Sequence, residues 1–146
     1  MQIIQATTEH LPQLAVLFDQ YRQHYEQPSD LAGAERFLSE RMARSESVIY
    51  VAEEGGELIG FTQLYPVFSS IGMKKAWILN DLYVSEEHRR KGAARGLLDA
   101  SRELGGATGA RYLMLQTHIT NSKARALYES HGWKLDEEFY YYYLSI

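Results

Sequence analysis

Leu79-Asn80-Asp81-Leu82-Tyr83-Val84-Ser85-Glu86-Glu87-His88-Arg89-Arg90-Lys91-Gly92-Ala93-Ala94-Arg95-Gly96 runs from a strand, through a polar turn, into the start of a helix. A helix N-terminus presents unpaired N–H groups and a partial positive charge, which makes it a natural phosphate site. Gly92 lets a ligand approach the backbone, and Ala93 and Ala94 leave room for it. Arg89, Arg90, Lys91 and Arg95 add charge-assisted bonds. They are four of the 15 Lys and Arg residues, within seven positions where an even spread would put fewer than one. A solvated basic helix start with a packing glycine fits the loop alone equally well. Neither G-x-x-x-x-G-K-[ST] nor G-x-G-x-x-G occurs in the chain.

Downstream, a helical pattern runs from about Lys91 to Leu104, where Gly105 and Gly106 are expected to stop it. Arg111–Thr117 reads as a strand. The strand Ala76–Val84, this helix and that strand imply a right-handed crossover between parallel neighbours. Upstream, Val48–Glu53 and Leu58–Val67 are β-branched and aromatic runs joined by Glu54-Gly55-Gly56-Glu57, a hairpin signal. Ser69–Lys74 is a loop. Residues 1–6 form a first strand, and Thr7 and Thr8 are capping candidates for a helix to about Glu26. A second helix starts at Ser29 or Asp30, with Leu31, Ala34, Phe37, Leu38 and Met42 on one face. Near the C-terminus, Thr120 or Asn121 caps a short helix ending at His131-Gly132, and Trp133–Ile146 is strand material. The order β-α-α-β-β-β-α-β-α-β gives an α/β class of the α+β kind, with a mixed sheet that is mostly antiparallel.

The 146 residues suit one domain. They are 45% hydrophobic and 23% charged, with 3 Pro and 11 Gly, which excludes a disordered or collagen-like chain. Without Cys there is no disulfide, thiolate metal site or cysteine nucleophile. A net charge of −4 argues against a nucleic-acid partner, which needs a basic face, and points the local cationic knot at a small polyanion. No apolar run approaches the ~18 residues of a membrane span. No secretory signal is visible, so the expected compartment is the cytoplasm.

A second constellation is Asn121-Ser122-Lys123-Ala124-Arg125-Ala126-Leu127-Tyr128-Glu129-Ser130-His131-Gly132-Trp133. On a helix Asn121, Ala124 and Tyr128 share one face, combining an amide, a small residue and a phenol. A phenol can protonate a thiolate leaving group, although a lone tyrosine is more often half-buried core. In this order the two segments resemble the GNAT superfamily of acyl-CoA-dependent N-acetyltransferases. Arg89-x-x-Gly92-x-Ala94 matches its [RQ]-x-x-G-x-[GA] signature, behind the strand Leu79–Val84. Asn121-x-x-Ala124-x-x-Leu127-Tyr128-x-x-x-Gly132-Trp133 matches its second signature.

The resemblance implies the GNAT-like acyl-CoA N-acyltransferase fold, in which the strand ending at Val84 splays from its parallel neighbour and acetyl-CoA fills the gap. It implies that the backbone of Leu82, Tyr83 and Val84 pairs with the pantetheine arm. The N–H groups of Arg90, Lys91, Gly92, Ala93, Ala94 and Arg95 would hold the pyrophosphate behind Arg89. Asn121 would bond the pantetheine chain and Tyr128 would protonate the departing thiolate. Some polyamine acetyltransferases of the superfamily carry a glutamate where this chain has Asn80, which cannot act as a base but can hold a water. Asp81 falls on the opposite face by strand alternation, and the β-bulge often found here in the family would re-aim it as a base or amine-binding group. Glu26 and Glu35 are weaker candidates.

The five histidines form no metal-ligand pair on one helix face, and no metal is expected. His118 is either an acceptor-pocket residue or an ordinary loop histidine. Phe139-Tyr140-Tyr141-Tyr142-Tyr143-Leu144 is aromatic on both faces of its expected strand, so a second subunit or the chain's own helices must cover it. The expected partners are an amine acceptor, a small cationic molecule or a lysine side chain, and a second copy in a homodimer. The alternative is a non-catalytic acyl-CoA sensor of the same fold.

Overall fold

Val48, Ile49, Tyr50 and Val51 are β-branched or aromatic residues that fit a pleated surface, and they begin strand β2, Val48–Glu54. In the computed structural model, which describes all 146 residues, Gly55 and Gly56 follow it with φ of 59° and 84°. Left-handed backbone at both positions is what a tight two-residue hairpin needs. That turn leads into β3, Glu57–Ser69, which pairs antiparallel with β4, Lys74–Val84. Strand β1, Gln2–Gln5, flanks β2 antiparallel, and β5, Leu113–Met114, flanks β4 in parallel. The sheet order is β1-β2-β3-β4-β5.

The chain divides into two compact units, Met1–Gln116 and Thr117–Ile146. In the first, helices cover both sheet faces. Helices α1, Leu11–His24, and α2, Leu31–Ala43, bury Leu14, Ala15, Leu17, Phe18, Ala34 and Leu38 against Ile49, Val51, Leu58 and Phe61. Helix α3, Ala93–Ala107, buries Ala93 and Leu97 against Ala52, Ile59 and Val84. The α1–α2 loop is tied down by Asp19, whose carboxylate accepts from the Ser29 hydroxyl and the Asp30 N–H, both at 2.7 Å. Those bonds hold its pKa below the ordinary value, the Ser29 bond contributing most.

In the second unit, helix α4, Ser122–Ser130, is capped by Asn121, whose Oδ1 accepts from the Ala124 N–H at 3.2 Å. The turn after it passes through Gly132 at φ 86°.

Three expectations need correction. Helix α3 does not stop at Gly105; it runs to Ala107. Gly105 serves a close approach instead, since a Cβ there would sit 2.5 Å from Leu113 Cδ1. Strand β5 covers two residues rather than Arg111–Thr117, because its register with β4 ends at Ile78↔Met114. Trp133–Ile146 forms no strand. Asp136 accepts from the N–H groups of Glu138 and Phe139 at 2.9 and 3.3 Å, so this backbone bonds locally and no ladder partner lies alongside it. Tyr140 and Tyr142 are 91% and 92% exposed.

Candidate active site

The carboxyl end of β4 is where the candidate groups of the first unit gather. Beyond Ile78 no strand follows on its β5 side, while its other side stays paired with β3 as far as Val84↔Gly60. Ser85 donates its N–H to the Ile59 carbonyl at 2.9 Å. By antiparallel alternation, the N–H and C=O groups of Leu82 and Val84 therefore point away from β3, into the opening. Tyr83, between them, has its peptide groups turned to β3 and its ring on the α1 side, in edge contact with Tyr21 at 6.1 Å.

After a single 3₁₀ turn at Glu86–His88, the chain reaches α3 through two left-handed residues, Arg90 at φ 66° and Gly92 at φ 90°. A positive φ is uncommon for arginine, and such strain clusters where a ligand is held. Gly92 is the N-cap of α3 and no side chain caps that helix, so the first-turn N–H groups of Ala93, Ala94 and Arg95 keep the donors a helix start leaves over. A Cβ built on Gly92 would meet nothing within 4 Å, so the space beside this helix start is open. Arg90, Lys91 and Arg95 are exposed around it. The donor set fits a pyrophosphate. Arg89 is instead turned back on the strand. Its Nε donates to the Val84 carbonyl at 3.0 Å and its guanidinium lies 5.7 Å from the centre of the Tyr83 ring.

On the α1–α2 face the decisive feature is a β-bulge. Gln63 stands opposite Asp81 and Leu64 opposite Leu79, so Asn80 is the extra residue. Before the bulge odd positions face α3: the Trp77 indole N–H donates to Thr108, just past that helix, at 2.9 Å. After it even positions do, since Leu82 and Val84 pack with Ala93 and Leu97. Asn80 and Asp81 therefore emerge on the same, α1–α2 face, and Asn80 Nδ2 donates to Asp81 Oδ1 at 3.1 Å.

Asp81 is only 5% exposed. Its Oδ2 accepts from Gln63 Nε2 at 2.9 Å, and the Tyr21 hydroxyl also bonds the carboxyl. No cation pairs with it. Burial raises its pKa above the ordinary carboxylate value, against the opposing pull of the bonds from Gln63, Tyr21 and Asn80. Nearby Tyr65 is pushed up to about 12, first by burial and then by the negative charge of Asp81. Tyr65 also lines an open cavity of about 480 Å³ with Phe37, Arg41, Glu46 and Pro66. Glu26 and Glu35 are exposed on the α1–α2 loop and on α2.

In the second unit, Tyr128 lies on α4, half-buried, with its ring 6.2 Å from that of Trp133. Asn121 spends its side-chain oxygen on the helix cap. His118 is exposed and closes the turn into α4, accepting the Thr120 N–H at 3.2 Å. Tyr21, Gln63 and Tyr65 were missed in the sequence. Only their alternation with Phe61 on one strand face, or their place on an amphipathic helix, hinted at them.

The model of the acetyltransferase (GNAT) family matches residues 13–133. The chain belongs to that family. Over its whole length it is 52% identical to an uncharacterized N-acetyltransferase, YhfO, of Bacillus subtilis (strain 168), covering 98% of that protein. It superposes on the crystal structure of a probable acetyltransferase with a TM-score of 0.95 at 45% identity, over 100% of this chain and 98% of the other. A ribosomal-protein-alanine N-acetyltransferase from Brucella melitensis biovar Abortus 2308 shares the fold, with a TM-score of 0.82 at 20% identity over the full length of both chains. The expected fold class is therefore the observed one: a mixed α/β fold whose five-stranded sheet has one parallel strand pair. No helix is long and apolar enough to cross a membrane.

Proposed function

We propose that this GNAT chain transfers acetyl from acetyl-CoA to the primary amine of a cationic acceptor by direct attack. The observation that carries the reading is Asp81: a buried carboxylate on a bulge, held by neutral donors and lacking a cation of its own. A cationic amine is the partner such a group lacks. An alkylamine of pKa about 10.4 arrives protonated and must lose a proton before it attacks. Asp81, with its basicity raised by burial, takes that proton. The amine nitrogen then bonds to the acetyl carbonyl carbon, the C–S bond breaks, and the Tyr128 phenol protonates the departing thiolate. The second proton shed by the acylated nitrogen restores the phenol, while Asp81 returns its proton to water. The opening beside Leu82 and Val84 takes the pantetheine arm as an added strand, and the Gly92 cradle takes the pyrophosphate. Asn121 reaches the same arm. Asn80 orients Asp81 and can hold a water at the mouth of the site.

The test is thiol release from acetyl-CoA with purified protein and a panel of diamines, polyamines, aminoglycosides and lysine peptides. The expected result is turnover with at least one cationic amine. Tight acetyl-CoA binding with no thiol released by any amine overturns the reading in favour of a non-catalytic acyl-CoA sensor. We further propose that the chain acts in the cytoplasm as a homodimer, its exposed tyrosine-rich C-terminus covered by the second copy.

A further inference from the structure

Gln63 is an expensive residue to bury. It is fully enclosed in β3, and a buried amide left without partners destabilises a fold by more than a hydrogen bond usually contributes. Both its ends are engaged. The Ser47 hydroxyl donates to Gln63 Oε1 at 2.8 Å, and Gln63 Nε2 donates to Asp81 Oδ2 at 2.9 Å. The order matters. A carboxylate accepts only, so the amide must present its NH₂ to Asp81, and Ser47 holds it in that orientation by occupying the oxygen. On the other side Thr62 Oγ1 donates to the Asp81 backbone carbonyl at 2.8 Å, which pins the strand at the bulge. A hydrophobic residue at position 63 would serve packing between α1, α2 and the sheet at least as well.

We propose that Ser47 and Gln63 form a positioning relay that fixes the orientation of the Asp81 carboxylate and keeps it ionised for proton abstraction. The proposal rests on the reading of Asp81 as proton acceptor. Gln63 touches no reacting atom; it acts through Asp81. The groups facing Asp81 are Tyr21 from α1, Gln63 and Tyr65 from β3, and Asn80 beside it on β4. The charges beyond Tyr65 are Arg41 of α2 and Glu46. The relay is thus the neutral, buried side of a site whose ionised groups lie farther out.

Loss of the Gln63 donor removes stabilisation from the ionised form of Asp81 only, so the base must titrate at higher pH. A hydrogen bond to a charged group corresponds to about one to two pH units. In Gln63→Met, and in Ser47→Ala, where the freed amide can turn its oxygen to accept from the protonated carboxyl and so favour the neutral acid, the acid limb of kcat/KM for the amine moves up by about one unit. The KM for acetyl-CoA stays within about twofold of wild type. Ser47→Thr, which keeps the hydroxyl, returns the limb to its wild-type position. Ser47 precedes β2 and is half-buried, so its truncation leaves a folded protein even where Gln63→Met does not. An acid limb unmoved in Ser47→Ala, while Asp81→Asn is inactive, overturns the relay and leaves Asp81 as the base. Full activity in Asp81→Asn overturns the reading of Asp81, and the relay with it.

Discussion

Replacing Asp81 by Asn should separate activity from stability in opposite directions. The wild-type protein buries this carboxyl, 5% exposed, with three neutral donors and no cation, and burial displaces its pKa upward. A raised folded-state pKa means that the folded protein binds the proton more tightly than the unfolded chain. Stability is then highest below the unfolded value, near 3.8, and falls as pH rises through the folded value. Above both values the cost is constant, about 1.4 kcal/mol for each pH unit of displacement. In Asp81→Asn that cost is absent. Against it, the Asn amide can accept from Gln63 but meets Asn80 with a donor, and the exposed Asn80 can rotate away at about 1 kcal/mol for the lost bond. At pH 7 the variant should therefore melt at or above the wild-type temperature, by about 3 °C for each kcal/mol gained. The difference in Tm between variant and wild type should grow from pH 4 upward and then level off. Turnover, by thiol release under saturating acetyl-CoA, should fall by about 10²–10⁴-fold, because an amide cannot accept the amine proton. Calorimetry between pH 4 and 8 and the release assay on the same preparations check both halves. A Tm several degrees below wild type with no pH dependence would refute the account of Asp81 as a desolvated acid. Turnover within threefold of wild type would refute its role as base.

Three further outcomes are expected. Acetyl-CoA should raise the Tm of the wild type, and Gly92→Glu should abolish the rise, because a side chain at φ 90° is strained and a negative charge at the helix start would repel the phosphates; an unchanged shift by scanning fluorimetry counts against the cradle. Tyr128→Phe keeps the ring against Trp133 and should lower kcat by about 10²–10⁴-fold, with KM for acetyl-CoA nearly unchanged; steady-state kinetics within threefold of wild type would make the phenol structural. Light scattering at high micromolar concentration should give the mass of a dimer, and a chain truncated before Phe139 should give a monomer; a full-length monomer removes the expected role of the tyrosines.

Much of this protein follows from contacts between residues close in sequence. The paired glycines Gly55 and Gly56 mark the β2–β3 turn because only their backbones take two left-handed conformations at little cost. Asn121 announces its cap because Asx side chains reach the N–H groups two or three residues ahead. Gly92 marks the uncapped start of α3 for a similar local reason. Those signals, with the periodicity of the apolar positions, were enough for the element order as far as α4, for the parallel pair behind the basic turn, and for the segments that carry the family signatures.

Long-range pairing decided the rest. A strand pattern at Trp133–Ile146 states a preference, but a strand forms only beside another, and here Asp136 bonds the backbone first. Gly105 reads as a helix stop until Leu113 is seen packed against it. The site shows the limit most clearly. Alternation sends Asn80 and Asp81 to opposite faces, and the register between β3 and β4 sends them to the same one, since a bulge is a property of two strands. Ser47, Gln63 and Asp81 are ordinary polar residues, 16 and 18 positions apart in successive pairs, and nothing local links them. What joins them is burial: once the sheet closes over Gln63, its amide and the Asp81 carboxyl must find partners within reach, and the fold alone determines which those are.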